Sequence, residues 1–300
     1  MLNSNHINDI NKKGYTIIKD FFDEENLKYW NKYYNSLEKK VLKEEEALIA
    51  SISHIDIGFT STGERHIQRI QHVIENSIKG KNLIEDSVDL VQQIDPKAIF
   101  LKDRYINQRG MSKYCSLPHQ DASTGELQKI GTSVYTLYIA LTDADENTGS
   151  LFIEDTPEKR TKSLGMCDRG CAGGYACECT PVANDLKAKY PREVQVQGRG
   201  LLPHSDVVAQ KLPISPQDMK NYRAPNVVES QHKMKAISTT AGDCILLDGW
   251  LIHGTAQNMS NYNRRTMTLT YIVPSTSVAG SAAVGQYIIF NKSKSYFALS

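Results

Sequence analysis

A chain of 300 residues with 40% hydrophobic and 23% charged side chains has the composition of an ordinary globular protein, long enough to bury a substantial core. Its 35 basic and 34 acidic side chains leave a formal net charge of +1, which provides no global field for nucleic acid or an anionic bilayer and favours a small-molecule partner. No apolar run approaches the roughly 18 to 20 residues of a membrane span, and the first thirty residues lack a continuous apolar signal core, so a cytoplasmic protein of one domain (1–300) is expected.

Residues 7–22, INDINKKGYTIIKDFF, predict a short helix, a turn at Gly14 and a strand over 15–19. Asp23 then caps a second helix, with Glu24 and Glu25 in its first turn and Leu27, Trp30, Tyr34 and Leu37 at helical spacing. The Lys/Glu run over 38–46 reads as its solvated end. Residues 82–94 predict another amphipathic helix, stopped by Asp95 and Pro96. From about residue 98 the texture turns to short strands: AIFLKDRYINQ, SVYTLYIAL, SLFIED, DCILLDG and TMTLTYIV. The fold class expected is mainly β with flanking helices, an antiparallel barrel or jelly roll with 1–97 packed outside a core of 98–155 and 241–274. Residues 156–240 form a long irregular insertion suited to a substrate lid, and the tail over 275–300 is assigned no element.

The chemistry centres on Pro118-His119-Gln120-Asp121, where an extended segment sends the imidazole of His119 and the carboxylate of Asp121 to one face. His253, after the strand DCILLDGW, supplies a third candidate ligand if a barrel brings it opposite. Two histidines and one carboxylate are the facial triad of non-haem iron(II) oxygenases, leaving coordination positions open for cosubstrate and oxygen. A second His-x-Asp, His54 and Asp56 in SISHIDIG, reads as part of a half-buried strand. Arg264, eleven positions after His253, offers a guanidinium fork for the far carboxylate of a bound 2-oxoacid, and Arg265 should face the other way. Gln120 reads as a neighbour that orients the site.

Several separated segments are similar to the phytanoyl-CoA dioxygenase family of iron(II)/2-oxoglutarate oxygenases: KKGYTIIKDFFDEENL (12–27), LKDRYINQ (101–108) with SLPHQD, ALTDADENTGSLFI (140–153) and AGDCILLDGWLIHGTAQNMSNYNRR (241–265). The resemblance implies a double-stranded β-helix, cupin-like, with Fe(II) at its open end and 2-oxoglutarate and O2 as cosubstrates. It implies hydroxylation of an unactivated carbon of a small metabolite, with succinate and CO2 as coproducts. Asp121 as a carboxylate disfavours halogenation, while desaturation, ring closure and epimerisation stay open. By position, Lys102 and Thr255 are expected to help hold 2-oxoglutarate, and Tyr138 to line the pocket.

The insertion departs from that pattern. Cys167, Cys171, Cys177 and Cys179 lie close enough for structural zinc, although their spacing is unlike that of zinc ribbons. Residues 155–240 hold thirteen Lys or Arg against nine Asp or Glu, a local excess that hints at an anionic substrate. Two alternatives remain open: a catalytically silent barrel acting as a binding or scaffold protein, and a cupin-type metalloenzyme that does not use 2-oxoglutarate.

Overall fold

A computed structural model of the chain describes residues 1–43, 55–59, 65–112, 115–123, 131–155, 215–220 and 233–274. Helix α1 (Ser4–Lys13) is capped by Asn3, whose side chain accepts from the His6 amide at 2.9 Å. It ends at Gly14, whose φ of 81° is reached without steric cost only by glycine, and which turns the chain into β1 (Tyr15–Ile18). Asp23 caps α2 (Glu24–Lys43) by accepting from the Asn26 amide at 2.8 Å, so the predicted start of that helix holds. Helix α3 (Ile78–Gln92) begins before the predicted 82–94, because Ser77 caps it through the Gly80 amide.

Two sheets face each other. The larger has the order β1–β9–β6–β11–β4–β3–β2 and the smaller β5–β10–β7–β8, all pairs antiparallel. The strands are β2 (Ile55–Phe59), β3 (Arg65–Gln71), β4 (Ile99–Gln108), β5 (Ser116–His119), β6 (Gly131–Ala140), β7 (Leu151–Glu154), β8 (Met234–Ile237), β9 (Cys244–Asp248), β10 (His253–Thr255) and β11 (Arg264–Pro274). From β4 onward the chain passes repeatedly between the sheets, with β4, β6, β9 and β11 in one and β5, β7, β8 and β10 in the other. This is the double-stranded β-helix, and the expected fold class is correct.

Period-two alternation assigns each face of the large sheet. In β6, Tyr135, Leu137 and Ile139 join Leu246, Leu269 and Tyr271 in a core closed by Trp30, Tyr34, Ile84 and Val91 of the helices. The opposite face meets the small sheet through Tyr138, Ile245 and Leu247 packed with Leu151, Ile153 and Ile237. Where β11 passes from Thr270 to Tyr271 the pairing slips from Lys102 to Phe100, and this bulge at Leu101 reverses which β4 residues face the helices.

The Lys/Glu run at the end of α2 requires a correction at Glu38. Its carboxylate accepts from the Tyr105 hydroxyl at 2.7 Å and the Asn107 amide at 2.8 Å, with Arg265 at 3.9 Å. Glu38 therefore joins the helix to β4 and β11, because the outer face of β4 leaves two buried polar groups that need an acceptor. The segment predicted irregular also contains α4 (Pro216–Lys220) and β8. The rest of 156–240, the four clustered cysteines and the tail over 275–300 lie outside the described residues. Among the described residues, no helix is long and apolar enough to cross a membrane.

Candidate metal and cosubstrate site

Strand β5 ends at His119 and β10 begins at His253, and the two residues are direct antiparallel partners. Directly opposed residues have Cα atoms roughly 4.5–5.5 Å apart, so two positions 134 residues apart in sequence come together at one end of the small sheet. The structure describes the backbone of His119 and not its side chain. After β5 the chain is fastened to the segment preceding β10. The Gln120 side-chain amide donates to the Trp250 carbonyl at 2.7 Å, and the Ala122 amide to that of Gly249 at 2.9 Å. Gln120, expected to orient the site, ties the end of β5 to the segment before β10.

These fastenings set Asp121 beside His253, with its Oδ2 3.8 Å from His253 Nε2. Two ligands bound cis at about 2.1 Å from one ion sit about 3 Å apart, so sharing a metal asks for movement smaller than a bond length. Each donor is held from behind. Thr136 Oγ1 donates to Asp121 Oδ2 at 3.0 Å, and the Leu251 carbonyl lies 3.0 Å from His253 Nδ1. A carbonyl accepts only, so Nδ1 carries the proton and the Nε2 lone pair is directed at the site. Among the described residues, no group of three His, Cys, Asp or Glu side chains lies together. The pair Asp121–His253 with the backbone of His119 alongside is what the described atoms provide, and this donor set fits iron.

Arg264, at the start of β11, is 1% exposed. One Nη donates to the Tyr138 hydroxyl and to Thr266 Oγ1, both at 2.8 Å, and the other to Gln108 Oε1. These described partners are all neutral, and Nε has none. A guanidinium buried without a carboxylate is costly unless a ligand supplies one. Its outward fellow, Arg265, lies on the opposite face beside Glu38, as alternation requires.

Asp121, His253, Arg264, Tyr138 and Thr255 line one cleft of about 650 Å3, a volume that includes the space open to solvent. Thr255 Oγ1 also accepts from the Ser116 amide at 2.9 Å, which ties β10 to β5. Lys102 is different. It pairs with Thr270 while Arg264 pairs with Gln108, so it stands six residues, roughly 20 Å, further along β4. It is not among the cleft-lining residues, and one diacid cannot bridge it to Arg264. Sequence reasoning missed Arg69 on β3 and Arg104 on β4, both of which border the cleft. The segment 65–71 carries no predicted element, and Arg104 falls within the predicted strand AIFLKDRYINQ with no role assigned to it.

Strand order and the residues gathered at one end of the barrel define the class of iron- and 2-oxoglutarate-dependent oxygenases. Residues 10–156, just under half of the chain, match the family described as phytanoyl-CoA dioxygenase (PhyH). Similar solved structures include EctD from S. alaskensis with bound Fe, at 14% identity and a TM-score of 0.57 over 91% of this chain and 77% of that one. AviO1 from Streptomyces viridochromogenes Tue57 is similar at 14% identity and a TM-score of 0.56, over 92% of this chain and 97% of that one. The non-heme alpha ketoglutarate dependent carbocyclase SnoK from nogalamycin biosynthesis matches at 12% identity and 0.55, over 90% and 84%. At such identities the likeness is one of fold. Among curated protein sequences, none matches at a significant level.

Proposed function

We propose that the protein is an active iron(II)- and 2-oxoglutarate-dependent hydroxylase of a small metabolite, with His119, Asp121 and His253 as the iron ligands. In the overall reaction, substrate C–H, 2-oxoglutarate and O2 give substrate C–OH, succinate and CO2, with one oxygen atom in the new hydroxyl and one in succinate. Bound iron would supply the redox chemistry and a chelation point for the 2-oxoacid end of the cosubstrate.

The chain's own residues do the holding. Arg264 forks onto the far carboxylate of the diacid, with Tyr138 and Thr266 fixing the guanidinium and Thr255 bordering the same space. Thr136 keeps Asp121 turned toward His253, and the Leu251 carbonyl, beside Nδ1, keeps Nε2 of His253 turned toward the metal position. The observation that carries this reading is the buried Arg264, with neutral partners and an unmatched Nε, opening into the cleft that holds Asp121 and His253. A silent scaffold barrel would have no reason to keep an unneutralised guanidinium there.

The test is succinate formation from 2-oxoglutarate by protein loaded anaerobically with iron(II) and then exposed to oxygen, first without substrate and then across a metabolite panel. Slow uncoupled turnover that a substrate accelerates is expected. Absence of succinate under every condition would overturn the proposal.

A further inference from the structure

The orientation of Arg264 depends on a residue outside the cleft. Gln108 ends β4 directly opposite Arg264, the first residue of β11. Directly opposed side chains share a face, with Cβ atoms roughly 4.5–5.5 Å apart. Gln108 is 0% exposed and is not among the cleft-lining residues, so it meets the guanidinium from behind and not the ligand. Its Nε2 donates to the Ala256 carbonyl at 2.7 Å, and its Oε1 accepts from an Nη of Arg264. Both contacts demand the same orientation, because a turned amide would set its NH2 against a guanidinium and its oxygen against a carbonyl. Ala256 directly follows β10, the strand that begins at His253. The amide is therefore a strut between the strand at the metal position and the fork that meets the diacid. The backbone of Gln108 is held as well, its carbonyl accepting from Asn258 Nδ2 at 3.1 Å.

Gly149, just before β7, makes room for this amide. A Cβ there would stand 2.7 Å from Gln108 Cδ and 2.9 Å from Nε2, and closer still to Oε1. A side chain at 149 would push the amide off both partners, and the φ of 77° already favours glycine.

The chemical identity of the partner then matters more than its position. Glutamate has the shape of glutamine, and a carboxylate at 108 would neutralise a guanidinium that is 1% exposed. On the opposite face, the adjacent Arg265 has such a partner in Glu38. Among the described residues, Arg264 meets neutral acceptors instead, which aim the fork and leave its charge for an incoming carboxylate.

We propose that Gln108 is a positioning residue for the cosubstrate: it holds Arg264 in line with the metal position and, being neutral, keeps the guanidinium charge available to the far carboxylate of 2-oxoglutarate. This rests on the oxygenase reading above and adds a residue, outside the cleft, that sets the strength of cosubstrate binding.

The test uses full-length protein loaded anaerobically with iron(II). Calorimetry measures 2-oxoglutarate affinity through a double-mutant cycle of Gln108→Ala with Arg264→Ala. Alone, Gln108→Ala should weaken 2-oxoglutarate binding by roughly tenfold, the effect of losing a charge-assisted hydrogen bond. In the Arg264→Ala background the same change should cost less than about twofold, because its route to the ligand is gone. Gln108→Glu should weaken binding at least as much as Gln108→Ala, since its carboxylate competes with that of the ligand for one fork. Iron(II) affinity should change less than about twofold in either single variant at position 108, whereas general damage to the fold would lower it too. If Gln108→Ala does not fold by circular dichroism, Gln108→Met, of similar volume, takes its place in the cycle. The proposal is overturned if the change at 108 costs as much without Arg264 as with it, if Gln108→Glu binds 2-oxoglutarate as tightly as wild type, or if iron affinity falls as far as cosubstrate affinity. If wild-type protein binds no 2-oxoglutarate in the presence of iron(II), the oxygenase reading itself falls; wild-type binding with indifferent variants removes the positioning role alone.

Discussion

On the helix side of β11, Met267, Leu269 and Tyr271 are closed off by α2 and α3, whereas on the cleft side Arg264, Thr266, Thr268 and Thr270 alternate with them. An antiparallel strand with one apolar and one polar face normally has the polar face in water. Here the polar face is also buried, with Arg264, Thr266, Thr268 and Thr270 between 0% and 6% exposed. Buried polar positions at period two, without a hydrophobic purpose, mark a strand that lines a site. The same contrast separates the two ion-bearing arginines at its start: Arg265 meets a carboxylate of the fold in Glu38, and Arg264 meets neutral groups and awaits a ligand.

The contrast can be broken most severely at the cleft. Asp121→Ala or His253→Ala should lower succinate formation on the order of a hundredfold or more while the apolar side keeps the protein folded. Activity within a few-fold of wild type, measured with iron in excess, would remove that residue from the metal. Arg264→Ala should raise the 2-oxoglutarate concentration needed for half-maximal turnover by roughly tenfold to a hundredfold and leave the iron requirement unchanged. Arg264→Lys should restore little of this, since a point charge does not replace the fork; full recovery would argue against a bidentate carboxylate contact.

On the helix side the effects should fall on stability instead. Burial beneath the helices pushes Asp103 up to about 7 from its ordinary 3.8, and among the described residues its Oδ1 has no partner. Its folded-state affinity for a proton is therefore higher than in the unfolded chain. Between about pH 4 and pH 7 the folded state holds more protons, so stability falls as pH rises through that window, by roughly a few kcal/mol, and is flat above it. Asp103→Asn should flatten this slope in urea titrations at several pH values, and an unchanged slope would assign it to other groups. Glu38→Ala, which strips the acceptor from Tyr105 and Asn107, should cost about 1–2 kcal/mol of unfolding free energy with iron and 2-oxoglutarate binding intact. A loss of iron binding there would mean that the two faces are coupled.

Much of this arrangement is legible in sequence because it is local. The Asp23 cap, the turn at Gly14, the alternation in TMTLTYIV and the spacing of His119 from Asp121 each depend on a few adjacent residues. The less legible parts depend on pairing across the sheet. Glu38 reads as solvent-facing until β4 is laid beneath it, and Lys102 reads as a cosubstrate residue until the pairing of Arg264 with Gln108 sets it at the far end of β4. Arg69 and Arg104 belong together only because β3 and β4 are neighbours, which no spacing within the chain reveals. Strand β10 is three residues long, too short to show alternation, and is defined by its partners β5 and β7.

The central claim is that positions 119, 121 and 253 hold one iron ion between them. Its most direct measurement is the stoichiometry and affinity of anaerobic iron(II) binding, by calorimetry, for wild-type protein and for His119→Ala. One ion per chain, with affinity lowered at least about a hundredfold when the imidazole at 119 is removed, is the expected result. Binding of equal strength in both proteins would contradict the shared centre, whatever the barrel around it.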